Sequence, residues 1–290
     1  MGATVAVTGA GGYIGRHVVR SILERGDDVL AVVRQPDPEL AAELGRDRIM
    51  QADVFDLDTS DWTRLTACDA LMHLAWRDGF VLRSRAHGED VSRHYEFLLR
   101  SADEGIGRIA VLGTMHEIGY WEGAIGEDTP SNPTTPYGIA KHALRRLLET
   151  SLEGSETSLA WLRCYYITGD DERSNSVFNK ILLAEGRGDT TFPFTSGRNL
   201  YDFSDVADLA DQLVTAALDR QALGVIDCCS GTPQSLADAV EGFIAARGLS
   251  IRLEYGAFPD RPFDSPGVWG DPTRISAIMA HNPTRSKKEQ

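Results

Sequence analysis

Short apolar runs alternate with amphipathic stretches through the first half of the chain. Thr4-Val5-Ala6-Val7-Thr8 is β-rich and leads straight into glycines, while Val29-Leu30-Ala31-Val32-Val33 is continuously apolar, as in a strand buried on both faces. Residues 49–52, 70–74, 109–112 and 159–163 read as further strands. Helical spacing falls between them at residues 17–24, closed by Gly26, and at residues 90–102 and 139–150. This rhythm predicts right-handed βαβ crossovers and therefore an α/β fold with a doubly wound parallel sheet. Beyond about residue 168 the alternation loosens, with helices at residues 176–185, Val206–Leu218 and Leu236–Ala246 among frequent Gly, Pro and Asn. The expected division is a sheet domain over residues 1–168, with return strands at about 199–232 interleaved. A smaller lobe is expected from residues 169–198 and 233–290.

Composition removes several classes of function. At 290 residues, with 42% hydrophobic and 25% charged positions, the chain is ordinary for a globular protein and can bury a sizeable core. A formal net charge of −14 argues against nucleic acid, whose phosphates need a basic surface, but leaves room for a small anion held by a few arginines. Cys68, Cys164, Cys228 and Cys229 lack metal-ligand spacing, which predicts reduced core thiols and no metal. No apolar run reaches the ~18 residues of a membrane span. The first residues carry no basic signal-peptide segment, so a cytoplasmic address without membrane contact is expected.

The first motif that carries chemistry is Gly9-Ala10-Gly11-Gly12-Tyr13-Ile14-Gly15, set between a strand and a helix. Gly9, Gly12 and Gly15 permit a tight turn, close approach to a pyrophosphate and packing of helix on strand, and the helix start offers free N–H groups. At the end of the second strand, Val33-Arg34-Gln35-Pro36 holds no acid before Asp37. Arg34, assisted by Arg16, suits the 2′-phosphate of NADP(H). The alternative is a solvated surface arginine and NAD(H). Asp53-Val54, after the third strand, is placed to hold the adenine.

The second motif is Tyr137-Gly138-Ile139-Ala140-Lys141. Four residues apart on a helix, the Lys141 ammonium lies beside the Tyr137 phenol, where a cation lowers the phenol pKa. Upstream, Thr114 ends a strand and supplies a second hydroxyl for a substrate carbonyl.

Together, Gly9, Gly12, Gly15, Asp53, His73-Leu74-Ala75, Thr114, Tyr137 and Lys141 resemble the extended short-chain dehydrogenase/reductases of the NAD-dependent epimerase/dehydratase superfamily. That group includes nucleotide-sugar epimerases, dehydratases and ketoreductases. The resemblance runs over nearly the whole chain and implies a Rossmann-like domain whose cofactor meets Tyr13, Ile14, Arg16, Val54, Leu74, Ala75, Tyr137 and Lys141. It further implies a nucleoside-diphosphate sugar held by Arg198 and Arg261, with Met115 and His116 beside Thr114. A homodimer through the helices at 90–102 and 139–150 is expected too, on Phe97, Leu98, Leu144, Leu147 and Leu148.

Departures from the family narrow the reaction. Met115-His116 stands where 4,6-dehydratases carry an Asp-Glu pair, and the Cys and His of epimerase-reductases are missing at Met115 and at Gly169-Asp170-Asp171. Residues 114–125 look closest to 4-ketoreductases acting on dTDP-4-keto-6-deoxyhexoses. Tyr137 is then the proton donor, Lys141 lowers its pKa and binds the nicotinamide ribose, and Thr114 holds the carbonyl oxygen. His116 and Glu117 are read as ordering the loop. The alternatives are an epimerase with tightly bound NAD and a non-catalytic NADP-binding redox sensor.

Overall fold

The computed structural model describes residues 2–169, 176–260 and 265–281. Seven parallel strands form the central sheet: β1 (Thr4–Thr8), β2 (Asp28–Val33), β3 (Ile49–Gln51), β4 (Ala70–His73), β5 (Arg108–Thr114), β7 (Ser158–Cys164) and β11 (Gly224–Cys228), in the order β3-β2-β1-β4-β5-β7-β11. Strand order reverses between β1 and β4, which opens a crevice at their carboxyl ends. The sequence predicted this α/β Rossmann-like sheet, and the structure has it.

Alternate residues of each strand feed two cores. Val5 and Val7 of β1, with Val29, Ala31 and Val33 of β2, face α1 (Tyr13–Glu24), α2 (Pro38–Leu44) and α7 (Val206–Leu218). Ala6, Leu30 and Val32 face α3 (Thr59–Thr66), α4 (Ala86–Asp103) and α5 (Pro136–Ser151). This is why the strands read as continuously apolar. Phe97, Leu98, Leu144 and Leu148 lie in the second core, and of the five residues expected to pair two copies only Leu147 is exposed. A helix that flanks a sheet needs an apolar face for its own chain, so those four residues carry no argument for a dimer.

A second sheet runs β12 (Pro233–Ser235), β10 (Leu200–Asp205), β14 (Gly267–Gly270) and β6 (Gly123–Ile125), with β8 (Tyr166–Thr168) beside β10. Of the segment at 199–232, β11 thus sits in the large sheet and β10 in this one. A third core joins α6 (Val177–Gly186) and α8 (Leu236–Ala246) through Phe178, Ile181 and Val240. Its surface strands β9 (Thr191–Pro193) and β13 (Arg252–Glu254) pair with each other, and α9 (Thr273–Ala280) returns to the first core through Ile275. All four cysteines are buried and unpaired. Among the described residues no helix is long and apolar enough to cross a membrane.

Candidate active site

The crevice begins at the glycine turn. Gly9 has φ +72°, and a Cβ there would sit 2.8 Å from Ala75 N, so the ends of β1 and β4 meet with no side chain between them. A Cβ on Gly15 would collide with Gly9 O. Helices α2, α3, α5, α6, α7 and α8 each cap their first turn with a side-chain oxygen. Helix α1 starts after Gly12 with no such cap and no acid in its first turn, so no carboxylate of its own offsets the positive end of its dipole. These features fit a dinucleotide pyrophosphate.

The neighbouring residues are placed as follows. Leu74 N donates to Thr8 O and Ala75 N to Thr8 Oγ1, which fixes the end of β4 against the turn. Ile14 is half-buried, while Tyr13 is buried and donates its hydroxyl to Thr168 O across the crevice. Asp53 is exposed and folds its carboxylate onto Phe55 N, with Val54 half-buried beside it. Arg34 is exposed at the end of β2. Arg16 is not beside it in role: its buried guanidinium is spent on Asp37, Glu39 and Gly11 O. A guanidinium already paired with carboxylates has little left for a ribose phosphate.

The catalytic candidates converge where β5 ends and α5 begins. Thr135 caps α5 by accepting from Gly138 N, Pro136 occupies its first position, and Tyr137 follows in the first turn with its N–H donating to Leu82 O at 3.1 Å. A Cβ on Gly138 would collide with His116 O, so glycine there lets α5 close on the turn after β5. Thr114 is buried, accepts from His116 N, and engages the Tyr137 phenol with its hydroxyl. The His116 ring lies 6.0 Å from that of Tyr137, and burial holds its imidazole below the usual histidine range. Met115 is buried beside them.

Electrostatics differ in one respect from the expectation for Lys141. Burial pushes the Tyr137 phenol up, and the opposing influence is the Thr114 hydroxyl. The Lys141 ammonium, itself buried and brought down to about 8, donates to Leu112 O at 2.8 Å and lies over the Trp76 ring. The phenol is therefore an acid held in its protonated form.

Two residues support these groups: Glu117, which the sequence reading took as ordering the loop, and Trp76, which it missed. Glu117 is completely buried, with its Oε1 accepting from Thr114 N and Trp161 Nε1, both at 2.7 Å, and its Oε2 3.2 Å from Arg145 Nε. Burial pushes its carboxyl up, against the pull of Arg163, these hydrogen bonds and Arg145. It ties the turn after β5 to the end of that strand as an anchor of Thr114. Trp76 stacks on His94 and touches Tyr137 edge-on, and only the apolar residues before it hinted at its place. Arg198 is exposed on the loop before β10, near Asp260, and away from these groups in sequence. Arg261 lies outside the described residues.

The profile of the NAD dependent epimerase/dehydratase family matches residues 5–226. A dTDP-6-deoxy-L-talose 4-dehydrogenase (NAD(+)) of Aggregatibacter actinomycetemcomitans is 43% identical over 92% of this chain and 98% of its own. A dTDP-6-deoxy-L-talose 4-dehydrogenase (NAD(P)(+)) of Kitasatospora kifunensis is 28% identical over 89% and 83%. The solved UDP-N-acetylglucosamine 4-epimerase of Methanobrevibacter ruminantium M1 shares the fold at a TM-score of 0.82 and 20% identity, covering 100% of this chain and 96% of that one. Fold, glycine turn and family profile agree: the chain belongs to the NAD-dependent epimerase/dehydratase family of extended short-chain dehydrogenase/reductases and is an NAD(P)-dependent oxidoreductase.

Proposed function

We propose that the protein interconverts a ketone and a hydroxyl at C4 of a dTDP-linked 6-deoxyhexose, working as a 4-ketoreductase with NAD(P)H. One observation carries this reading. The Thr114 and Tyr137 hydroxyls meet, Trp76 touches both the Tyr137 ring and the Lys141 ammonium, and the nearby carboxyl, Glu117, is turned into Thr114 N, Trp161 and Arg145. Among the described residues a carbonyl oxygen is thus offered two hydroxyl groups, with the Glu117 carboxylate turned away from driving an elimination. The similarity to two 4-dehydrogenases supports the position and the nucleotide, since dehydrogenase and ketoreductase describe one redox couple in opposite directions.

When bound, the dinucleotide supplies the hydride. Residues 9–15 would hold its pyrophosphate, Asp53 and Val54 its adenosine end, and Lys141 its nicotinamide ribose. Tyr137, kept protonated by burial, gives its proton to the carbonyl oxygen. Thr114 accepts from His116 N, so its own proton is available to that oxygen or to the phenolate left behind. The nearby ammonium of Lys141 offsets the phenolate charge. Met115 and His116 face the sugar, and Arg198 with Arg261 takes the diphosphate. We assign NADPH over NADH on Arg34 alone; NADH is the alternative favoured by the relative that uses NAD(+). The unpaired buried thiols suit a cytoplasmic address.

The neutral His116 imidazole beside Tyr137 supports a second reading, an epimerase-reductase with His116 as base. Reduction of a dTDP-4-keto-6-deoxyhexose in deuterated water separates the two. Simple reduction consumes one cofactor per sugar and leaves the carbons flanking the new hydroxyl free of deuterium, and Tyr137→Phe abolishes most turnover while sparing cofactor binding. Deuterium at those carbons beyond a no-enzyme control would establish the epimerase-reductase instead. Cofactor binding without turnover would leave the redox sensor.

A further inference from the structure

A buried ammonium needs a counter-charge or good acceptors. Lys141 is 2% exposed, and among the described residues no carboxylate lies within ion-pair distance of it. Leu112 O takes one of its protons. Over Nζ lies Trp76, whose ring centroid is 3.9 Å away. That is close contact for a cation on an aromatic face.

The indole is held in place from several directions. It stacks on His94 with centroids 4.3 Å apart and planes at 12°. Its Nε1 donates to His87 Nδ1 at 3.0 Å. An indole nitrogen only donates, so His87 Nδ1 is bare and its Nε2–H donates to Val81 O at 2.9 Å. Val81 precedes Leu82, whose carbonyl receives Tyr137 N–H. His94 is fixed in turn by His73, and His73 by Thr8 at the cofactor turn.

We propose that Trp76 is a positioning residue of the catalytic group: its ring face stands in for a counter-ion to Lys141, and the same ring meets Tyr137 edge-on, so it ties the two together. The proposal rests on reading Tyr137 and Lys141 as the catalytic pair. The other groups facing Lys141 are Glu117 from the turn after β5, Cys164 from β7, His73 from β4 and His94 from α4. Burial keeps both histidines neutral and pushes the Cys164 thiol up to about 12, so neither kind offers Lys141 an anion. Glu117 favours the ammonium only through its field, because its oxygens are engaged elsewhere. The ring face therefore opposes the burial that brings Lys141 down to about 8.

The chain has four lysines, Lys141, Lys180, Lys287 and Lys288, so ¹³Cε-lysine labelling gives a readable NMR titration in which Lys141→Arg identifies the resonance. Trp76→Leu should lower the Lys141 pKa by roughly half a pH unit to one and a half, and Trp76→Phe by less. Fluorinated tryptophans placed at position 76 keep the shape and the N–H while draining the ring face, so they test the same point without disturbing the fold. Each added fluorine should lower the Lys141 pKa further, and the alkaline limb of reductive kcat should move with it. A Lys141 pKa that stays constant through the fluorinated series overturns the proposal. Failure of the wild-type protein to reduce any 4-ketosugar would overturn the reductase reading and leave this titration decisive.

Discussion

Acid should weaken this protein through two histidines beside the site. His73 is fully buried, bonded to Thr8 Oγ1 at 2.8 Å and to His94 Nδ1 at 2.9 Å. Desolvation, then the Lys141 charge, brings it down to about 3, and His94 is driven in the same direction. In the unfolded chain each titrates near the ordinary value of about 6.5. Above that value neither state binds these protons, and the contribution of the pair is fully present. Below it the unfolded state takes up protons that the native state refuses, so stability is lost as pH falls from about 6.5 toward about 3. At pH 5 the loss is roughly 2 kcal/mol per histidine, or about 4 for the pair, against a typical total of about 5–15. Urea unfolding at fixed ionic strength across about pH 5 to 6.5 measures the slope, at about 1.4 kcal/mol per pH unit for each proton. His94→Phe retains a ring against Trp76 and removes one titrating group, so its slope should be shallower by one proton. Buried carboxyls such as Glu117 and Asp227, pushed up by burial, act in the opposite sense but equally in both proteins. Parallel slopes for wild type and His94→Phe would refute the reasoning, whatever the absolute stabilities.

Three further outcomes are expected. Glu117→Ala strands two buried N–H groups and should cost roughly 3–5 kcal/mol in urea unfolding; Glu117→Gln keeps the acceptor, and Arg145 keeps Glu149, so it should cost well under half of that. Equal losses would mean that Glu117 does not anchor Thr114. Arg34→Ala should raise the NADPH KM tenfold or more, the equivalent of about 1.5–3 kcal/mol, and leave the NADH KM nearly unchanged; equal efficiency with both cofactors in the wild type would remove Arg34 as the determinant. If copies pair through the exposed Ile139 and Leu147 on α5, light scattering at micromolar concentration gives a dimer mass, and a monomer mass contradicts it.

The sequence by itself determined the large sheet, because a strand sandwiched between two helix layers must be apolar through its middle, as Val5–Val7, Val29–Val33, Ala70–Met72 and Ile109–Leu112 are. It also pointed to the glycine turn and to Thr114, Tyr137 and Lys141 as candidates, since each depends on local spacing: a turn, a strand end, one helical step. It expected a return strand in the region of β10, but the shorter strands of the second sheet escaped it because three- and four-residue runs such as Gly123–Ile125 and Gly267–Gly270 are too short to show a period. Helices α2 and α3 did carry signals, the Asp37 cap and the Asp58–Asp61 capping box, which hydrophobic spacing alone passes over. What only the tertiary structure decided is where charged groups are spent. Arg16 is next to the glycines in sequence, yet it belongs to Asp37 across a loop. Lys141 faces Trp76, sixty-five positions away along the chain, and the Glu117 carboxyl turns from the site to Arg145 and Trp161. Such pairings follow from which buried partner relieves the cost of desolvation, and that is set by packing in three dimensions, which no local pattern encodes.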